Sequence, residues 1–479
     1  MDSGYSEGHQ PLNRAAVRLW LLDMIPGLAS YFLADLPPGS PLTAAMVAEA
    51  CRTLKNNRAK YLANKSPEWI AKFLSELAAD WLRPDYKFRI LALTHQRNGF
   101  SKKVLEMGLD VFFSELTYDN IRRWYIQEFG DVPQFNTMVS EPQIRTRKRA
   151  YYIRTPELIV HFTAGTMPIP ALMSMVTGLL LGSAQFLKLS SSEGADVLPR
   201  LFAHSIYAAE PKLASCIELA VWPGGKSELE EPLFQYADCV TVSGSDQTIQ
   251  NLMSRVPLHI RFVPYRHRVS FSFVAKEKLF GTEAESVARL VAEDVSAWDQ
   301  LGCLSPHVVY VETGGQYQPR QFAELLAIQM EKLQAECPTG PVPPEIAAAI
   351  ATRRTAYLIR AANNSDTMIW HSTNSNGWTV VYEDDSTFQF SCLYRFVYVK
   401  GVQNLGEALR AAEPIRHYVS TVGVAASDTR LPAIALELAR WGALRICPIG
   451  KMQAPMLQWR HDGRPALTEL VTWVDWELE

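Results

Sequence analysis

The sequence predicts an α/β protein with two parallel-sheet domains and a helical N-terminal region. Three observations predict it. From about residue 150, short apolar runs closed by Gly or Pro alternate with helical patterns, the signature of a parallel sheet covered on both faces. Before that point the apolar residues recur at helical spacing. At 479 residues the chain also exceeds what one core covers comfortably. The expected divisions are a helical region over 1–145, a first sheet domain over 146–298, a second over 299–445 and a C-terminal segment over 446–479.

The elements follow in order. "SPEWIAKFLSELAADWL" (66–82) opens on Ser66, Pro67 and Glu68, a helix start, and repeats Trp69, Ile70, Phe73, Leu74 and Leu77 on one face. Segments 101–116 and 117–130 read the same way. Strands are expected at 157–165, 184–190, 216–225, 239–245 and 259–265. Helices fall between them at 168–182, 195–209, 228–236 and 247–255. A helical run over 283–298 leads to a strand at 307–311. A helix at 343–360, strands at 367–372, 378–384 and 392–400, and a helix at 431–442 complete the pattern.

Composition narrows the function. Net charge is −3, from 47 basic and 50 acidic residues, which gives no electrostatic reason to expect nucleic acid as a partner. The seven cysteines are odd in number and scattered without C-x-x-C spacing, so neither a disulfide framework nor a zinc site is expected and a reducing, cytoplasmic setting fits. The start "MDSGYSEGHQPLN" lacks the pattern of a secretory signal. The most apolar windows, 19–36 and 173–187, are broken by Asp, Pro, Gly or Gln, so no membrane span is expected.

Neither common phosphate-cradling glycine loop occurs. Instead, polar turns stand where strands hand over to helices: Thr163 to Thr166, Lys188 with Ser190, Ser191 and Ser192, Gly224-Gly225, and Ser243-Gly244-Ser245. Singly each is a turn. Together they favour a ligand site at one sheet edge, where helix N-termini attract anions and Gly admits close approach. Cys303 sits on a short break between a helical run and a strand, where a thiol comes within reach of a ligand more often than inside an element.

These stretches carry a family resemblance. "VHFTAGTMPIPALMSMVTGLLLGSAQFLKLSSSEG", "VWPGG", "TVSGSDQTIQ", "PYRHRVSF", "WDQLGCLSPHVVYVE" and the tail "LRICPIGKMQAPMLQWRHDGRPALTELVTWVDWE" resemble the acyl-CoA reductases that supply aldehyde to bacterial luciferase, within the aldehyde dehydrogenase superfamily. The resemblance implies an aldehyde dehydrogenase-like fold, with 146–298 binding a nicotinamide dinucleotide and 299–445 carrying a nucleophilic cysteine. It matches Cys303 to the nucleophile and Gln300 to the glutamine before it. Lys188 matches the lysine that holds the adenosine ribose, with Ser190 and Ser191 beside it, and Gly225, Gly244 and Ser245 stand at the other dinucleotide turns. Ser191 replaces the acidic residue frequent in NAD-preferring relatives; a serine repels no 2′-phosphate, so NADPH is the expected cofactor. Thr166, in the turn before Pro168, stands where relatives place an asparagine that donates to the oxyanion.

The implied reaction is reduction of an acyl thioester, from CoA or a carrier, to an aldehyde through an acyl-Cys303 intermediate. A thiolate suits it, because one thioester exchanges for another at little cost. Aldehyde-oxidising relatives activate water with a glutamate; the matching segment, 263–271, holds no carboxylate, so the acyl-enzyme is expected to outlast hydrolysis. The alternatives are an aldehyde dehydrogenase running in the oxidising direction and a non-catalytic cofactor-binding subunit of an acyl-transfer complex. An acyl-activating synthetase partner and a homo-oligomer follow from the resemblance. Tyr265, His267 and Arg268 suit either a phosphate-bearing carrier or a solvated edge. His307 reads as structural, Glu312 as a surface charge, Phe388 as core, and His461-Asp462 as a cleft-building loop with no assigned chemistry.

Overall fold

Side-chain hydroxyls start the helices of the N-terminal region. In the computed structural model, which describes residues 28–37, 39–95, 99–130, 135–140, 148–163, 165, 167–373 and 375–478, Ser66 Oγ accepts the Trp69 N–H at 3.2 Å and opens the helix Pro67–Leu82. Ser101 and Thr117 do the same for Lys102–Glu115 and Tyr118–Phe129. Each satisfies an amide that the helix cannot pair itself. These helices do not form a separate body. Their apolar faces share one core with the first sheet, from Leu54, Trp81 and Trp124 to Val160, Phe186 and Val240.

That sheet has five parallel strands in the order Ile217–Val221, Ala184–Leu189, Leu158–Phe162, Cys239–Ser243 and Arg261–Tyr265. Leu158–Phe162, Ala184–Leu189 and most of Cys239–Ser243 are buried, as expected of parallel strands covered on both faces. The chain works outward from the Leu158 strand in one direction and then resumes on its other side. The crevice beyond the C-terminal ends of Leu158–Phe162 and Cys239–Ser243 is therefore a topological switch point.

The second sheet has seven strands. They run in the order Thr367–His371, Thr379–Glu383, Phe396–Val402, Pro306–Glu312, Val269–Val274, Val419–Ala425 and Arg445–Pro448, parallel except for the first. Separate apolar clusters cover its two faces. The strand Val269–Val274 lies inside this sheet, and the helix Gly281–Ser296 packs on its face. By sheet and core membership the second unit thus begins near residue 269, and a boundary at 298/299 cuts through it. A third, antiparallel sheet joins Met138–Ser140 and Lys148–Arg154 to Thr472–Leu478, so the C-terminal segment returns to the end of the helical region.

Two elements stop short of their sequence patterns, for one physical reason. The run expected to 298 ends at Ser296, and the strand expected from 392 begins at Phe396. In both gaps three consecutive non-glycine residues take left-handed backbone: Trp298, Asp299 and Gln300 at φ 52°, 49° and 66°, and Leu393, Tyr394 and Arg395 at 63°, 51° and 61°. Among the described residues no helix is long and apolar enough to cross a membrane.

Candidate active site

The chain passes from the first sheet to the second through residues 266–268, and this short crossing brings two sets of strand ends together. Tyr265 ends a strand of the first sheet; Arg268 precedes Val269, which starts a strand of the second. Cys303 precedes the neighbouring strand Pro306–Glu312. Ser270 ties the two: its Oγ donates to the Cys303 carbonyl at 2.8 Å and accepts the Thr421 N–H at 3.2 Å. Cys303 is exposed, while Leu304, Ser305 and Pro306 behind it are buried.

The thiol has both free surface and enclosing walls. The walls push it up to about 11, and the Asp462 carboxylate adds to the rise; the Cys303 N–H and the Arg268 guanidinium oppose it. The free surface tempers the desolvation but leaves the direction unchanged. Arg268 Nε donates to Asp462 Oδ1 at 3.0 Å, and its Nη1 donates to the His417 carbonyl at 2.9 Å. Asp462 is buried at φ 56°, in a turn whose His461 ring packs edge-on against Tyr265 and Trp459. The segment 263–271 holds no carboxylate; the negative charge that acts on the thiol comes from Asp462, in the C-terminal loop.

Gln300 does not face the cleft. Its amide is fully buried: Nε2 donates to the Pro306 and Phe396 carbonyls, both at 2.9 Å, and Oε1 accepts the Phe396 N–H at 2.8 Å. It is a positioning residue, which corrects its expected catalytic place. Beside it Arg395 Nε donates to Asp299 Oδ1 at 2.9 Å, both side chains sealed from solvent, and Asp299 Oδ2 accepts the Gly340 N–H at 3.0 Å. These bonds fasten the two left-handed turns to one another. Trp298 wedges against the N-terminal region, where only Gly108 leaves room: a Cβ there would lie 2.1 Å from the indole. Gln453 braces the loop from the other side, bonded to Ser305 Oγ and lying against Gly302.

Across the cleft lie the expected cofactor residues. Lys188 ends its strand with a buried side chain that makes no hydrogen bond to the protein among the described residues; burial lowers its pKa, and Glu230 pulls the other way. Ser190 and Ser192 bond to one another. With Ser191 they line a pocket of about 250 Å³ shared with Leu33, Leu42, Asp196, Arg200 and Val221. Gly225 stands at φ 82°, with open space where a side chain would be. The Gly244 N–H is taken by the Tyr265 carbonyl at 3.3 Å, and Ser245 Oγ caps the helix Asp246–Met253 by accepting the Thr248 N–H. A largely buried lysine without a hydrogen bond among the described residues and a glycine turn beside open space, at strand ends of the first sheet, fit an anionic dinucleotide. Thr166 lies outside the described residues.

A larger cavity, of about 810 Å³, opens between Tyr31–Leu33, the helix Ala44–Asn57 and Glu218. None of its lining residues belongs to the Cys303 loop, so the converging polar groups rather than cavity size locate the chemistry. His307 is structural: its Nδ1 accepts the Ser391 N–H at 3.1 Å, and burial pushes it down to about 4, leaving it neutral. Phe388 is buried beside it. Glu312 is a correction, since it is buried and bonded to Arg430 and the Lys276 N–H. Sequence reading missed Ser270, Asp299, Arg395 and Gln453 altogether. The one available signal was the polar pair Asp299-Gln300 standing between a helical run and a strongly apolar strand.

Comparison with known proteins agrees with this geometry. The fold resembles an NAD-dependent benzaldehyde dehydrogenase from Corynebacterium glutamicum, with a TM-score of 0.68 at 12% identity over 93% of each chain. It also resembles the Δ-pyrroline-5-carboxylate dehydrogenase of Mycobacterium tuberculosis, with a TM-score of 0.67 at 14% identity over 100% of this chain and 97% of that one. The fold is thus aldehyde dehydrogenase-like. In sequence the chain is 24% identical over 319 residues to a long-chain acyl-protein thioester reductase of Aliivibrio fischeri and 23% identical over 322 residues to one of Photobacterium leiognathi; each match spans 66% of this chain and 63% of the relative. The family model described as acyl-CoA reductase (LuxC) matches residues 62–473, and with most of its length so covered, the chain belongs to that family.

Proposed function

We propose that the protein reduces an acyl thioester to an aldehyde through an acyl-Cys303 intermediate, with NADPH as reductant. The observation that carries this reading is an accessible thiol on a braced loop at the strand-start edge of the second sheet, which the short 266–268 crossing joins to the strand ends of the first. Cys303 gives up its proton and attacks the acyl carbon; the donor thiolate leaves and takes a proton. Lys188, Gly225 and the Gly244-Ser245 turn would hold a reduced nicotinamide dinucleotide, which would supply the hydride. The Cys303 backbone N–H is the first donor for the oxyanion, with Thr166 as the second. Such donors act by being in place before charge develops.

NADPH is preferred on Lys188 and on the absence of a carboxylate at Ser191; Asp35 and Asp196 near this pocket are both engaged by Arg200. The thioester donor is CoA-linked or carrier-linked, and an acyl-activating synthetase would supply it. Exposed Trp473, Val474 and Trp476 on the third sheet favour self-association, and seven free cysteines favour a cytoplasmic setting.

Intact-mass measurement with octanoyl-CoA and with dodecanoyl-CoA tests the intermediate: an acyl adduct is expected on the wild type and none on Cys303→Ala. Nicotinamide absorbance then reads the direction and the NADPH-to-NADH preference. Turnover only with aldehyde, or no adduct with any thioester, overturns the proposal in favour of the oxidising or the non-catalytic alternative.

A further inference from the structure

Cys303 stands at the second position of a hydrogen-bonded turn. The Ser305 N–H donates to the Gly302 carbonyl at 3.0 Å, which closes the turn over Cys303 and Leu304. A trans peptide is planar, with its C=O and N–H on opposite sides. The Gly302 carbonyl is turned in toward Ser305, so the N–H of the same peptide, that of Cys303, is directed out of the turn. It makes no hydrogen bond to another of the described residues. The next peptide is fixed as well, because Ser270 Oγ donates to the Cys303 carbonyl at 2.8 Å. What fixes the first is the place of Ser305, which is buried and whose Oγ accepts from the Gln453 amide. Gln453 also fills the space over Gly302, where a Cβ would lie 3.2 Å from its Oε1.

Gln453 is carried by a turn with little slack. Asp294, buried on the helix Gly281–Ser296, accepts the Gly450 N–H at 2.5 Å on one oxygen and the Met452 N–H at 3.0 Å on the other. Arg445 takes the carbonyls of the same turn, with Nη1 on Met452 and Nη2 on Lys451, both at 2.7 Å. Gly450, at φ 86°, lies so close to the helix that a Cβ would meet Leu290 at 2.6 Å. The Met452 side chain is buried over Gly423, and its sulfur accepts from Ser272 Oγ at 3.2 Å. One buried carboxylate thus anchors the residue before Gln453 and, through Gln453, the turn that carries the thiol.

We propose that Gln453, anchored by Asp294, is a positioning residue that aims the Cys303 backbone N–H at the oxygen of the acyl group under attack. The inference rests on the acyl-Cys303 reading above, in which that N–H is the first oxyanion donor. Acylation forms a bond from the Cys303 sulfur to the acyl carbon and moves the carbonyl electron pair onto oxygen. The pair then returns, the bond to the donor sulfur breaks, and the donor thiol leaves with the proton that Cys303 gave up. A donor helps this step only as far as it already faces the oxygen. Alkylation of the same sulfur by iodoacetamide displaces iodide from a saturated carbon and forms no oxyanion. The two reactions therefore separate the aim of the N–H from the state of the thiol.

The test compares both rates on the full-length protein. Octanoyl-CoA is added without cofactor and the adduct is followed in time by intact mass; iodoacetamide labelling at pH 8 is followed in parallel. Gln453→Ala should acylate at least about tenfold more slowly, short of the loss of about a hundredfold or more that follows removal of a whole donor, while alkylation is unchanged. Asp294→Asn, whose amide nitrogen opposes one of the two N–H groups, should give the same split. The double variant should be no slower than the slower single one, since both act through one bond. Unchanged acylation in Gln453→Ala overturns the proposal. So does an equal loss in both reactions, the mark of a merely distorted loop, and losses that multiply in the double variant overturn the anchoring by Asp294. Should Asp294→Asn fail to fold, Gln453→Ala alone carries the split. Absence of any wild-type adduct removes the acyl-Cys303 reading itself, an outcome distinct from acylation that ignores Gln453.

Discussion

The two walls of the cleft are built by opposite rules. On the proposed cofactor side the turns are self-contained: Ser190 and Ser192 bond to each other and Ser245 caps its own helix, while Gly225 borders open space and the Lys188 side chain makes no hydrogen bond among the described residues. On the nucleophile side Asp299, Gln300 and Arg395 are sealed and cross-linked, through bonds between residues 96 positions apart. Six consecutive-triplet residues there hold left-handed backbone, at about 1–2 kcal/mol each. A wall suited to a mobile anion leaves polar groups unspent; a wall that holds one sulfur on a braced loop spends most of its polar groups internally and tolerates strain to do so.

Breaking the ion pair under the nucleophile should show the contrast most strongly. Arg395→Ala leaves Asp299 buried without its partner, which costs about 3–5 kcal/mol, read as a lower urea midpoint. Arg395→Lys restores charge without the fork that also reaches the Cys337 carbonyl, so it recovers only part of the loss. An unchanged midpoint in Arg395→Ala would mean that the latch contributes nothing. Gln300→Ala comes next: it strands the Phe396 N–H and two carbonyls, at about 1–3 kcal/mol for a buried group left unpaired. Here kcat should fall while the KM for nucleotide stays, since the cofactor wall is untouched. A rise in nucleotide KM would show that the two walls are coupled.

The same contrast explains what was legible in the sequence. Strand–helix alternation, the Ser66, Ser101 and Thr117 helix starts and the polar strand ends at Lys188 and Gly225 are local signals, and local signals survive in one dimension. The family resemblance located Cys303. What failed was long-range. Gln300 was matched to a catalytic place because the sequence shows its spacing from Cys303 but not that its amide points at Phe396. A boundary at 298/299 leaves residues 269–274 with the first sheet, because nothing in "RVSFSFV" says that it forms a strand of the second. Arg395 reads as part of a strand because neither its φ of 61° nor its ion pair with Asp299, a residue from another element, shows in the local pattern. Asp462 reads as a loop residue without chemistry because its ion pair with Arg268, 194 positions away, exists only after folding.

A sharper probe of the thiol lies between the walls. With Cys303 pushed up to about 11, its iodoacetamide labelling should keep rising through pH 9 and 10, where an ordinary thiol has levelled off. Levelling near pH 8.5 would show that Asp462 and the cleft walls do not govern the sulfur.

The smallest effect on the fold, and the cleanest separation of the walls, is expected of Lys188→Met. Burial depresses the Lys188 pKa, so the folded state disfavours its charged form. The sign follows: at neutral pH the ammonium works against folding, and that penalty disappears as pH rises through the folded and then the unfolded pKa. Removing the charge should therefore leave the thermal midpoint unchanged or slightly higher at pH 7, unlike the substitutions at Arg395 and Gln300. Nucleotide binding should move the other way, with KM rising about tenfold, equivalent to about 1.4 kcal/mol, because the ammonium was unpaired for a ligand to use. In the wild type the same affinity should fade at a lower alkaline pH than a free lysine would give. A lower midpoint in Lys188→Met, with nucleotide KM unmoved, would make Lys188 part of the scaffold and erase the distinction between the walls.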